Sequence, residues 1–124
     1  CITADGRFIG GVIMPGVRTA ADELVRRTAK LPATELTVPD HVIGRRTEDC
    51  IRAGVLWGAA DAVDGLIRRI RDEWPTRSQD RPLVVATGGL ASLVAPLTRE
   101  IESVQPDLTL LGLRLAAEAL GLGW

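Results

Sequence analysis

Tyrosine is absent from these 124 residues, and phenylalanine, histidine and methionine each occur once. With Phe8 alone there is no aromatic platform on which bases could stack. A net charge of −1 leaves no electrostatic footprint for nucleic acid or for an anionic membrane surface. The basic side chains are almost all arginine, with Lys30 the single lysine. The two cysteines, Cys1 and Cys50, offer neither a disulfide framework nor a metal-ligand spacing, which fits a reducing compartment. The lone histidine, His41, has no cysteine or aspartate partner at nucleophile or ligand spacing and reads as a loop residue. No apolar run is long enough to span a bilayer. There is no Walker loop, no zinc spacing and no serine in a nucleophile elbow.

A hydrophobic content of 46% is enough for one core, and the length allows one domain or less. The stretch that organises the chain runs from Ile43 to Trp74. Thr47 is a candidate helix N-cap, and Glu48 and Asp49 behind it complement the positive end of the helix dipole. Ile51, Val55, Ala59, Val63, Leu66, Ile67 and Ile70 recur at helical spacing, and Pro75 stops the run. Small residues (Ala53, Gly54, Gly58, Ala59, Ala60) form a waist that a second backbone can approach. Asp61 and Asp64 lie one turn apart, and Arg68 four residues after Asp64 explains that acid as surface electrostatics.

Around this helix the reading is α/β. Cys1–Ala4 and Arg7–Met14 read as a hairpin turning at Asp5-Gly6. Gly10-Gly11 inside the second strand marks either a bulge or a close approach by a ligand. Thr19–Ala29 is amphipathic, Leu31–Pro39 is an extended connection, and Thr76–Arg81 is a polar loop. Pro82–Gly89 reads as a buried strand ending in Thr-Gly-Gly, the position where open α/β sheets hold ligands. That turn either cradles a nucleotide through backbone N–H groups or is a plain turn. A short helix starts at Leu90 and continues through Thr98 to Ser103. A last helix over Leu111–Leu120 ends at the C-cap candidates Gly121 and Gly123. From these residues alone the chain is an α/β domain with a candidate nucleotide turn. Cys1 has no base nearby to make it a nucleophile.

Taken together the phrases are more specific. Asp5-Gly6-Arg7-Phe8-Ile9-Gly10-Gly11-Val12-Ile13-Met14-Pro15-Gly16, then Thr28-Ala29-Lys30-Leu31-Pro32, then Ile43-Gly44-Arg45-Arg46-Thr47, then Ala53-Gly54-Val55-Leu56-Trp57-Gly58, then Val85-Ala86-Thr87-Gly88-Gly89, then Pro106–Leu113 follow in an order that resembles the type III pantothenate kinases. The resemblance runs from Asp5 to Ala117 and covers only the C-terminal half of that family.

It implies the C-terminal domain of an actin-like, ribonuclease H-like ATPase fold of the acetate and sugar kinase superfamily. Such a domain has a mixed sheet, flanking helices and a long central helix. Residues 1–124 would be that single domain, with its N-terminal hairpin incomplete and the phosphate-binding half absent. Members of the family phosphorylate pantothenate from ATP in the first step of coenzyme A synthesis. The resemblance implies a cytoplasmic homodimer using magnesium and a monovalent cation, potassium or ammonium. By motif match the pantothenate pocket, shared between subunits, would take Ile9, Gly10, Gly11, Ile13, Leu31 and Thr47, and the ATP side Thr87, Gly88 and Gly89. No metal ligand falls in this chain. The catalytic aspartate, expected as general base, would lie directly before Cys1, so this chain alone should be inactive. The expected partner is an N-terminal half supplied as a separate or cleaved chain. Arg46 stands where the family commonly has asparagine. The alternatives are a non-catalytic ligand-binding or regulatory relative and a kinase of this fold acting on another small hydroxyl substrate.

Overall fold

The computed structural model describes residues 1–28, 30–75 and 81–122. Four helices and two short strands follow in the order α1 (Val17–Arg27), α2 (Thr47–Asp72), β1 (Val85–Ala86), α3 (Ala91–Val94) with a 3-10 turn at Ala95–Leu97, β2 (Ser103–Val104) and α4 (Leu108–Ala119).

The core forms where α2 meets α1 and the segment from Leu90 to Leu97. Val17 and Ala21 of α1 pack with Ile51, Val55 and Leu56 of α2, and Leu31, Leu36, Leu90, Leu93, Val94 and Leu97 close around them. Leu56 is completely buried, so Leu56→Ala would cost about 2–5 kcal/mol. Leu56, Ala60 and Asp64 are all buried and lie at four-residue steps, so α2 presents one row to the chain that follows it. Its last turn carries Arg69 and Arg71, complementary to the helix dipole.

The N-terminus of α2 differs from expectation. Arg46, with extended φ −118° and ψ 154°, takes the cap position, and Thr47 is already helical. Capping needs the extended backbone that Arg46 has, and Thr47 makes no cap hydrogen bond.

At the amino end, Asp5-Gly6 turns the chain as expected, with Gly6 at φ +82°. Thr3 N donates to Arg7 O (2.9 Å) and Ile9 N to Cys1 O (3.0 Å), around a single antiparallel bridge between Ile2 and Phe8. The Thr3 hydroxyl donates to Asp5, holding its carboxyl below the ordinary carboxylate range. The expected strand does not continue to Met14. Gly10 at φ +125° leaves the β region, and residues 10–14 have no strand beside them among the described residues.

The second half has less sheet than predicted. Only Val85–Ala86 of the Pro82–Gly89 run is strand, and Leu83 is exposed, because among the described residues the sheet has two strands and β1 has a neighbour on one edge only. The pair is parallel, Val85 opposite Ser103 and Ala86 opposite Val104. Thr98–Glu102 is not the expected continuation of the helix but the return to β2. α4 starts three residues before the predicted Leu111, and Gly121 at φ +68° ends it, with Leu122 N donating to Ala117 O (3.0 Å). Residues Ala29, Thr76–Asp80 and Gly123, which the sequence assigns to a helix end, a loop and a cap, lie outside the described residues. Among the described residues no helix is long and apolar enough to cross a membrane.

Candidate functional site

Apart from Leu31, the residues expected to bind ligands fall in three places. The first is the helix N-terminus. The loop before it comes so close that a Cβ on Gly44 would lie 2.5 Å from Cys50 N. Cys50 Sγ donates to Gly44 O (3.4 Å). Gly44 is therefore fixed by close backbone approach, and it holds the turn that delivers Thr47. Thr47 is exposed at the positive end of a 26-residue helix, a setting suited to a carboxylate.

The second place is the glycine segment. Ile9, Gly10, Gly11 and Val12 face Ile70, Glu73, Trp74 and Pro75 across a cleft of about 370 Å³. Ile13 projects entirely into solvent at 101% exposure. Neither Gly10 nor Gly11 has any atom within 4 Å of where a Cβ would stand, so this backbone is open to an incoming group. Met14 and Pro15 continue to the waist of α2, where they line a groove of about 650 Å³ with Val17, Leu24, Gly54 and Gly58.

Thr47 and the glycine segment are not brought together within one chain. Gly10 and Gly11 adjoin Ile70, and at about 1.5 Å per residue Thr47 and Ile70 stand roughly 35 Å apart along α2. Leu31 is at neither end; it packs against the α1–α2 core. A pocket that uses both Thr47 and Gly10-Gly11 needs two copies of this chain.

The third place is the turn after β1. Thr87, Gly88 and Gly89 are exposed, Gly88 has φ +93°, and a Cβ on either glycine would meet nothing within 4 Å. Gly88 O accepts from Ala91 N (3.1 Å), while the Gly88 and Gly89 amides have no acceptor among the described residues. An open turn with free amides fits the phosphate or hydroxyl oxygens of a nucleotide. Among the described residues no three histidine, cysteine, aspartate or glutamate side chains converge where a metal could bind.

Sequence reasoning missed the way this turn is held. Asp64 does not pair with Arg68 at the surface. It is buried, and its carboxylate accepts from Arg99 N (2.9 and 3.1 Å) and Glu100 N (3.0 Å). Arg68 instead faces Glu100 at 3.5 Å, and Arg71 bonds Glu100 and, at 3.0 Å, Glu102. The one available signal was that Asp64 shares a row with Leu56 and Ala60.

Residues 1–69 match the model of the type III pantothenate kinase family. The chain is 49% identical over its whole length to type III pantothenate kinase 1 of Symbiobacterium thermophilum, covering 45% of that protein. It is 46% identical over 96% of its length to the type III pantothenate kinase of Thermomicrobium roseum, covering 44%. Against that of Rhodococcus jostii it is 43% identical over 94%, covering 43%. The chain thus spans less than half the length of these relatives and corresponds to their C-terminal part. On the family match and these identities, the chain belongs to the type III pantothenate kinase family.

Proposed function

We propose that this chain is the C-terminal half of a cytoplasmic pantothenate kinase, which transfers a phosphoryl group from ATP to the hydroxyl of pantothenate at the start of coenzyme A synthesis. The observation that carries the reading is the family membership, at 43–49% identity over 94–100% of the chain in the relatives described. In this reading residues 1–124 form one domain of an actin-like ATPase fold. The N-terminal half, as a separate or cleaved chain or as the preceding part of a longer one, supplies the phosphate-binding loop and the catalytic aspartate. Phosphoryl transfer depends on positioning and charge stabilisation at the phosphates, so this half alone binds but does not turn over.

Two features of the molecule support the assembly. The separation of Thr47 from Gly10-Gly11 along α2 is explained if the pantothenate pocket lies between subunits, with Thr47 of one copy meeting Ile9, Gly10, Gly11 and Ile13 of the other. The groove at the small-residue waist, around Gly54 and Gly58, is the surface through which two α2 helices would approach. Leu31, packed in the core, would shape that pocket from behind rather than touch substrate. The second feature is α4. None of its residues is buried, and Leu110 and Leu113 are 66% and 63% exposed. An apolar helix so bare is accounted for if the N-terminal half covers it.

Within the complete enzyme, Thr87, Gly88 and Gly89 would hold one side of ATP through backbone amides. The Thr47 hydroxyl would orient the pantothenate carboxylate at the helix end. Magnesium, when bound, would neutralise phosphate charge, and a monovalent cation would complete the nucleotide site; neither ion is assigned to residues of this chain.

The test is pantothenate-dependent formation of ADP by this chain combined with the N-terminal half. Turnover with pantothenate and none by either half alone supports the reading. ATP binding without turnover would instead make the protein a non-catalytic relative. Turnover of other small alcohols in preference to pantothenate would make it a kinase retuned to a different substrate.

A further inference from the structure

Asp64 is 5% exposed and is the only charged side chain among the described residues buried to that degree. Burying a carboxylate is costly unless its oxygens are satisfied. Here they are satisfied by two backbone amides of the segment that leaves the 3-10 turn: Arg99 N at 2.9 and 3.1 Å and Glu100 N at 3.0 Å. That segment is in turn fastened to β1. Glu102 N donates to Val84 O (2.9 Å), Ser103 N to the same oxygen (3.3 Å), and Gln105 N to Ala86 O (2.8 Å). Ala86 is the residue before Thr87. Hydrogen bonds thus link the middle of α2 to residues 99–100, and residues 102–105 to the strand that ends in the Thr87-Gly88-Gly89 turn. The far end of the turn is held as well: Gly88 O accepts from Ala91 N (3.1 Å), Ala91 is buried and Leu90 packs against the α1–α2 core, while Gly88 and Gly89 themselves are open and exposed. Its position relative to α2 is set at one end by what holds β1 and at the other by the packing of Leu90 and Ala91.

We infer that Asp64 is a positioning residue for the nucleotide side of the site, fixing β1 and its glycine turn against α2. The inference rests on the proposed role of Thr87, Gly88 and Gly89 in holding ATP. Asp64 touches no ligand and acts through the 99–105 segment. α2 would then carry the pantothenate-facing Thr47 at its first turn and, seventeen residues on, the clamp for the ATP-facing turn.

The test compares Asp64→Asn, Gly88→Ala and Leu56→Ala in the complete kinase, meaning this chain together with the N-terminal half, by KM for ATP and KM for pantothenate. Asparagine keeps the size of the side chain and one acceptor oxygen, but it removes the charge and puts an N–H group where Oδ2 accepts from Arg99 N at 2.9 Å. The expected result is a KM for ATP raised by about tenfold with the KM for pantothenate within about twofold of the parent. Leu56→Ala, a core truncation that leaves the clamp intact, should lower thermal stability and change neither KM. If Asp64→Asn behaves like Leu56→Ala while Gly88→Ala raises the KM for ATP, the positioning role is overturned and the nucleotide turn stands. If neither Asp64→Asn nor Gly88→Ala moves the KM for ATP, the nucleotide reading of the turn fails and the inference with it. Should the asparagine variant not fold, Asp64→Ser keeps an acceptor in a smaller volume and is read by the same pair of KM values.

Discussion

Gly44 lies directly on the backbone of Cys50: a Cβ added to Gly44 would stand 2.5 Å from Cys50 N and 2.9 Å from its Cα. Both contacts are with main chain in the first turn of α2, which cannot rotate aside as a side chain would. Gly44→Ala must therefore push the 39–46 loop off the helix, at a cost of about 1–3 kcal/mol. The thermal midpoint should fall and, if the Thr47 hydroxyl binds pantothenate, the KM for pantothenate in the assembled kinase should rise because Thr47 moves with the loop. An alanine variant with the parent's melting curve would show that the loop relaxes freely.

Thr47 makes the opposite prediction. Since Arg46 takes the cap position and Thr47 has no cap hydrogen bond, Thr47→Val should leave stability within about 0.5 kcal/mol of the parent. If its hydroxyl binds the substrate carboxylate, the same change should weaken pantothenate binding by about 1–3 kcal/mol. Calorimetric titration of the assembled kinase with pantothenate, beside a melting curve, separates the two effects. Lost stability with unchanged affinity would return Thr47 to a purely structural role.

The parts of this molecule that were legible in its sequence are those governed by local rules. α2 was read to within two residues because its acidic first turn, helical periodicity and Pro75 all act within a few residues of one another. The turns at Gly6 and Gly121 followed from the positive φ that glycine allows. Asp64 was misread because Arg68 offered a plausible partner one turn away, whereas its real partners are backbone amides thirty-five and thirty-six residues on. No side-chain pattern marks an amide that will be needed. The apolar composition of Pro82–Gly89 predicts a buried strand, but burial depends on neighbours, and the described residues supply one short strand beside it. α4 is legible as a helix, yet nothing in its leucines says that they stay unburied among the described residues.

The waist of α2 allows a test that separates assembly from folding. Gly58 lines the groove, and a Cβ there meets nothing within 4 Å, so a larger residue fits the isolated chain. Replacing a mid-helix glycine should also raise helix propensity, by up to about 1 kcal/mol. Gly58→Leu is thus expected to keep or raise the melting temperature while filling the space a second helix would use. If two copies pack through this waist, light scattering on the assembled kinase should show loss of the dimer, and turnover should fall with it because Thr47 of one copy would no longer meet Gly10-Gly11 of the other. A Gly58→Leu dimer with full activity would move the interface elsewhere.

The leucines of α4 give the most direct probe of what the chain packs against. Leu110 and Leu113 are exposed and one helical turn apart, so they share a face. Replacing both by glutamate removes nothing from the α1–α2 core, and the isolated chain should keep its melting temperature and become less prone to self-association. Against a covering N-terminal half, the same pair would bury two carboxylates without partners, each costing several kcal/mol. Co-purification of the two halves should then fail for Leu110→Glu/Leu113→Glu and succeed for the conservative Leu110→Met/Leu113→Met. Undiminished association of the glutamate variant would show that this face stays in water and that the halves meet through another surface.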